Sequence, residues 1–179
     1  MKTENKTSEP INLNILKNHL DNLDLSKHDN LTFWLYCQIA MYSGLRAQDI
    51  INLKPENFDF DKKVIRVVET KTKKVSKIPF DRPQIIDRIN RNHPYIIFNP
   101  IRGKKITIMT INRNLKAIYN QDKTISSHSI RKAAAKNVYE GTDYNIFKTM
   151  AFLNHSSIAT TQRYLSISEN ERNELFNLL

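Results

Sequence analysis

The chain has 179 residues, 40% of them apolar, with 28 Lys and Arg against 18 Asp and Glu, a formal charge of +10 and a pI near 9.7. That length is enough for a real core in roughly one domain, and the apolar share excludes a disordered chain. One cysteine, Cys37, excludes an internal disulfide, and no Cys/His cluster has metal-ligand spacing; the cation excess points to nucleic acid as a partner, a generally basic proteome being the alternative source of the charge.

Residues 1–10, MKTENKTSEP, are polar and end in proline, and read as a flexible arm. Leu13, Leu16, Leu20 and Leu23 recur at helical spacing and predict a first amphipathic helix. Residues 30–43 predict a second, apolar nearly all round and therefore buried, with Cys37 as a small core hydrophobe. That run is too short and interrupted to span a bilayer, so no membrane association is expected and the protein reads as soluble and cytoplasmic. Gly44 ends the helix, and a short helix AQDIINL follows before the breaker Pro55.

From Lys63 the period changes. VIRVVET and VSKIPF are β-branched runs separated by KTKK, the pattern of a hairpin. Helical patterns resume over 83–91, 110–121 and 127–140, with Gly141 as a C-terminal stop. Two short helices, 143–151 and 157–165, precede an amphipathic segment ENERNELFNLL. The expected fold class is α+β, mostly helical with one small antiparallel β-hairpin or sheet.

Four stretches carry chemistry. In SGLRAQDIINL, Gly44 lies two residues before Arg46 and allows a sharp corner that presents the arginine; the alternative is an ordinary surface arginine paired with Asp49. Residues 62–77 hold seven basic side chains (Lys62, Lys63, Arg66, Lys71, Lys73, Lys74, Lys77) around one interior acid, Glu69. Such a hairpin serves either as edge-strand protection or as a finger aimed at a phosphate backbone. In SSHSIRKAAAKNVYE, Ser126 or Ser127 suits an N-cap, and His128 and Arg131 then share one helical face, as an anion site or as two exposed polar residues. The fourth, LNHSSIATTQRYL, sets Tyr164 nine residues after His155. Together, two arginines, a lysine, two histidines and a tyrosine are what phosphoryl transfer to a phenol needs: guanidiniums for the developing charge, histidine to handle protons, and a phenol of pKa about 10 that must be activated.

In these motifs, SGLRAQDI, ETKTKK, HSIR and LNHSSIATTQRY, the chain resembles the catalytic domain of the tyrosine recombinases, the phage-integrase family, over residues 11–179. The resemblance implies that Tyr164 is the nucleophile forming a 3′-phosphotyrosyl link to double-stranded DNA. It implies that Arg46 and Arg131 clamp the scissile phosphate, His128 assists proton transfer and His155 hydrogen-bonds a phosphate oxygen. Lys71 would be the general acid for the 5′-hydroxyl, with Lys73 and Lys74 as competitors for that role and, with Lys132, as DNA contacts; Asp49 would buttress the arginine corner. One phosphoester replaces another, so no metal, ATP or other cofactor is implied. Members commonly carry a separate N-terminal DNA-binding domain, whereas here residues 1–10 precede the first helix, and Asn154 stands where the family usually has glycine. The final segment, with Leu175, Phe176, Leu178 and Leu179 as its apolar face, would dock on its own core or, by the resemblance, on a neighbouring protomer in a dimer to tetramer on DNA. A catalytically reduced DNA-binding accessory protein and a type IB topoisomerase are the alternatives of related fold and chemistry.

Overall fold

The computed structural model describes residues 8–165, and the chain divides after Ala134 into two units. Residues 1–7 of the N-terminal arm and the amphipathic C-terminal segment lie outside the described residues. Glu9 donates its N–H to the Thr124 carbonyl at 3.3 Å, and Ile11 is buried.

The first unit opens with α1 (Leu13–Asp21), whose first-turn amides Asn14 and Ile15 are capped by the Asn12 side chain at 2.9 and 3.3 Å. Leu16 and Leu20 point into the core, while Leu23 falls beyond the helix and packs against the core's edge. Helix α2 (His28–Ser43) has little hydrophobic asymmetry because it is central: Phe33, Leu35, Tyr36, Cys37 and Ile39 are all buried. It ends at Gly44, whose φ of 62° is the left-handed conformation glycine tolerates best. α3 (Ala47–Ile51) follows, then a 3₁₀ turn at Pro55–Asn57.

Strands β1 (Phe58–Asp59), β2 (Val64–Val68) and β3 (Val75–Pro79) form an antiparallel sheet in that order, with Phe58 opposite Ile65 and Val68 opposite Val75. The period of two sorts the faces: Ile65, Val67, Ser76 and Ile78 turn inward, and Arg66, Val68, Val75 and Lys77 outward. The expected hairpin is therefore present, and β1, too short to show alternation, adds a strand to it. α4 (Pro83–Ile86) stops short of the expected 83–91 helix. Arg88 and Ile89 donate three residues back, to Ile85 and Ile86, and the Asn90 side chain then takes the Asn92 amide at 3.0 Å, which diverts the backbone from a helix. A second small hairpin, β4 (Phe98–Asn99) and β5 (Lys104–Lys105), precedes α5 (Ile108–Ile118) and α6 (Ser127–Glu140).

The second unit contains the C-terminal part of α6, α7 (Ile146–Phe152) and α8 (Ile158–Leu165). α6 ends just before Gly141 as expected, but the left-handed turn falls on Asp143 and Tyr144, which delays α7 until the Asn145 side chain caps Lys148 at 3.0 Å. Among the described residues no helix is long and apolar enough to cross a membrane.

Candidate active site

The first unit assembles a cationic cluster around the N-terminus of α6. Ser126 is the residue that caps this helix: its Oγ accepts from the His128 amide at 3.3 Å, and its own amide donates to Ser129 Oγ at 3.0 Å. Asn112 of α5 accepts from the Ser127 amide at 2.8 Å and ties the two helices together there. His128 follows in the first turn, and Arg131, 3% exposed, and Lys132, 9% exposed, come one turn later. Much of the His128 residue surface meets solvent, yet neighbouring atoms crowd its imidazole. This desolvation holds its pKa below the ordinary histidine value, and the positive charges of Arg131, Arg46, Lys71 and Lys132 add to the effect. The structure thus brings Arg46, Lys71, Arg131 and Lys132 within electrostatic reach of His128. Among the hairpin lysines, Lys71 is the one whose charge acts most on His128.

Arg46 occupies the N-cap of α3, directly after the Gly44 corner, and its carbonyl accepts from the Asp49 and Ile50 amides at 2.9 and 3.0 Å. Its guanidinium forms an ion pair with Glu69 at the end of β2, the two side chains 18% and 2% exposed. The pairing of Arg46 with Asp49, open from sequence alone, is therefore not the one adopted. Asp49 is buried, and its Oδ1 accepts from the Thr70 amide at 2.7 Å, tying α3 to the turn that carries Lys71. Glu69 carries no role by sequence motif, and its one signal there is its position as the lone interior acid among seven cations. Its Oε2 also accepts from Thr72 Oγ1 at 2.9 Å, and its Oε1 from Ser76 Oγ at 2.6 Å.

The second unit brings His155 and Tyr164 together. Their rings meet edge to face, with centroids 5.4 Å apart and planes at 80°. His155 Nδ1 lies 3.1 Å from the hydroxyl of the buried Thr161, on the same helix as Tyr164. The turn presenting His155 is built by the residue that replaces the family's glycine. Asn154 takes φ 51°, its amide donates to the Ala151 carbonyl at 3.0 Å, and the His155 amide donates to the Met150 carbonyl at 3.0 Å. These two bonds make a Schellman motif with asparagine in its left-handed position, a residue that tolerates αL better than other non-glycine types. Asn154→Gly should therefore leave the melting temperature unchanged or raise it. Asn154→Val should lower stability by about 1–2 kcal/mol in thermal unfolding, the cost of forcing a side chain into the left-handed region.

Residues 12–171 match the phage integrase family. A probable integrase/recombinase of Acholeplasma phage L2 is 29% identical over 165 residues, 88% of this chain and 56% of the relative. The tyrosine recombinase XerC of Corynebacterium glutamicum is 26% identical over 151 residues, 78% of this chain and 48% of the relative. The chain thus spans about half the length of these curated relatives. Among solved structures, the Tn1549 transposon integrase in complex with a circular intermediate DNA superposes with a TM-score of 0.72 at 18% identity, over 100% of this chain and 68% of that one. The fold is that of the tyrosine recombinases, and with the family match extending from α1 past Tyr164, the chain belongs to the phage integrase family.

Proposed function

We propose that the chain is the strand-cutting and rejoining portion of a site-specific DNA recombinase of a mobile element, acting in the cytoplasm on double-stranded DNA. The observation that carries this reading is the cluster of Arg46, Lys71, Arg131 and Lys132 around a single histidine, in a chain whose second unit sets His155 ring to ring with Tyr164. Tyr164 Oη attacks the scissile phosphorus and gives up its proton, and His128, whose crowded imidazole is shifted toward the neutral form, assists the proton transfer. Arg46 and Arg131 neutralise the non-bridging oxygens as charge builds, and His155 donates a hydrogen bond to one of them. Lys71 gives a proton to the departing 5′ oxygen. A new O–P bond replaces the broken one, so bond energy is conserved and the exchange requires neither ATP nor a metal ion. Lys73 and Lys74, on the turn beside Lys71, contact the phosphate backbone, as does Lys132 through its charge in the cluster. The DNA-bound Tn1549 integrase, which shares the fold, supports duplex DNA as the partner.

A denaturant-resistant adduct tests the reading. The full chain is incubated with a library of randomised duplexes nicked near their centre, so that cleavage releases a short fragment and cannot reverse. Adducts carrying DNA by its 3′ end, mapped by mass spectrometry to the peptide containing Tyr164, are expected. Retained duplex binding without any adduct would favour the catalytically reduced reading. Native electrophoresis of the adduct, with and without residues 169–179, reads the proposed assembly: complexes of two to four protomers should depend on that segment.

A further inference from the structure

Glu69 is the one buried acid within the basic hairpin, and its contacts join the Arg46 side chain to the turn that carries Lys71. Its backbone closes the turn in both directions: its amide donates to the Lys74 carbonyl and its carbonyl accepts from the Lys73 amide, each at 2.9 Å. The four residues so enclosed, Thr70 to Lys73, include Lys71. Its carboxylate accepts from Thr72 in that turn, from Ser76 on β3 and from Arg46 at the N-cap of α3. A carboxylate only 2% exposed is costly unless paired, so it is no surface counter-charge for the hairpin. Arg46 is one of four cations whose charge reaches His128. One edge of its guanidinium on Glu69 leaves further N–H groups of the fork for a phosphate.

We propose that Glu69 is a positioning residue, whose carboxylate, itself held by Thr72 of the Lys71 turn and by Ser76, fixes the direction of the Arg46 guanidinium. This rests on the strand-cutting reading for its consequence but not for its geometry. Glu69→Gln keeps the shape and removes the charge. In single-turnover cleavage of the captured nicked duplex, it should lower the rate at saturating DNA by about 10- to 100-fold, the scale of a misplaced catalytic group. Duplex Kd should move by less than about 3-fold, since Lys73 and Lys74 still meet the backbone. The loss should vanish in an Arg46→Ala background, the double variant matching Arg46→Ala within about 2-fold, because coupled groups are not additive. A duplex with methylphosphonate at the scissile position, which removes the charge Arg46 neutralises, should cleave at similar rates with wild type and Glu69→Gln. Wild-type rates in Glu69→Gln, or a loss that multiplies in full with that of Arg46→Ala, would overturn the proposal.

Should Glu69→Gln fail to fold, Ser76→Ala keeps the carboxylate and removes the hydrogen bond that Ser76 gives to Oε1. It should slow cleavage by a smaller factor, about 3- to 10-fold, again absent without Arg46. A readout on the protein alone separates this inference from the function. The Arg46 guanidinium resonances, assigned by their disappearance in Arg46→Lys, should show hindered rotation about the Cζ–Nη bonds in wild type and averaging in Ser76→Ala and Glu69→Gln. Unchanged signals would overturn the positioning role even in an active enzyme. Hindered rotation in a wild type that forms no adduct would uphold it and count against strand cutting.

Discussion

Tyr164→Phe is expected to eliminate the covalent DNA adduct entirely, lowering cleavage by at least about 10⁴-fold, as removal of a nucleophile does elsewhere. The substitution deletes one oxygen and keeps the ring, so the edge-to-face contact with His155 survives, as does the His155–Thr161 contact. The melting temperature and duplex affinity should therefore hold, separating loss of chemistry from loss of structure. Denaturing electrophoresis of the nicked duplex, with radiolabel on the 3′-attached side, reads the result. Survival of the adduct in Tyr164→Phe would reassign the nucleophile, and Tyr144, 67% exposed in the same unit, would be the next residue to replace.

The legible parts of the chain were those whose information is local. α2 was readable because a run of apolar residues ended at a glycine, and α6 because a serine pair opened it and Gly141 closed it. The candidate site residues stand out for the same reason: each sits in a short motif whose corner, cap or turn can be inferred from its immediate neighbours. Ser126 and Ser127 looked equivalent as caps, and only the approach of Asn112 from α5, which occupies the Ser127 amide, distinguishes them. β1, β4 and β5 were invisible because two-residue strands have no periodicity; their pairing partners supply the structure. Glu69 is the instructive case. Its charge looked like a minor exception in a basic hairpin, and its importance comes from Arg46, twenty-three positions away, a contact that no local pattern encodes. The same holds for Asp49, whose nearest charged neighbour in sequence is Arg46 but whose acceptor oxygen is taken by the Thr70 amide. In both cases a buried carboxylate accepts from a group brought near through space rather than from its sequence neighbour, and those contacts join the arginine corner to the lysine turn.

That junction governs the second large effect. Lys71→Ala should slow cleavage of an ordinary duplex by about 10²–10⁴-fold, the usual worth of general-acid catalysis. It should recover to within about 10-fold of wild type when the bridging 5′ oxygen is replaced by sulfur. The logic is proton affinity. When the P–O5′ bond breaks, the electron pair goes to an alkoxide that leaves poorly unless Lys71 Nζ protonates it. A thiolate, whose conjugate acid has a pKa of about 8.5, leaves without help. Lys71 is the hairpin lysine whose charge reaches His128, and it stands in the turn bracketed by Glu69 and Lys74. Lys73 takes the left-handed position of that turn at φ 58°. Lys73→Ala and Lys74→Ala should therefore weaken duplex binding, most visibly as a shallower dependence on salt, while cleaving oxygen and sulfur duplexes in the wild-type ratio. Rescue by sulfur of Lys73→Ala rather than Lys71→Ala would move the general acid two residues along the turn. A Lys71→Ala defect that persists on the sulfur duplex would instead make Lys71 a phosphate contact and return the proton's source to His128 or solvent.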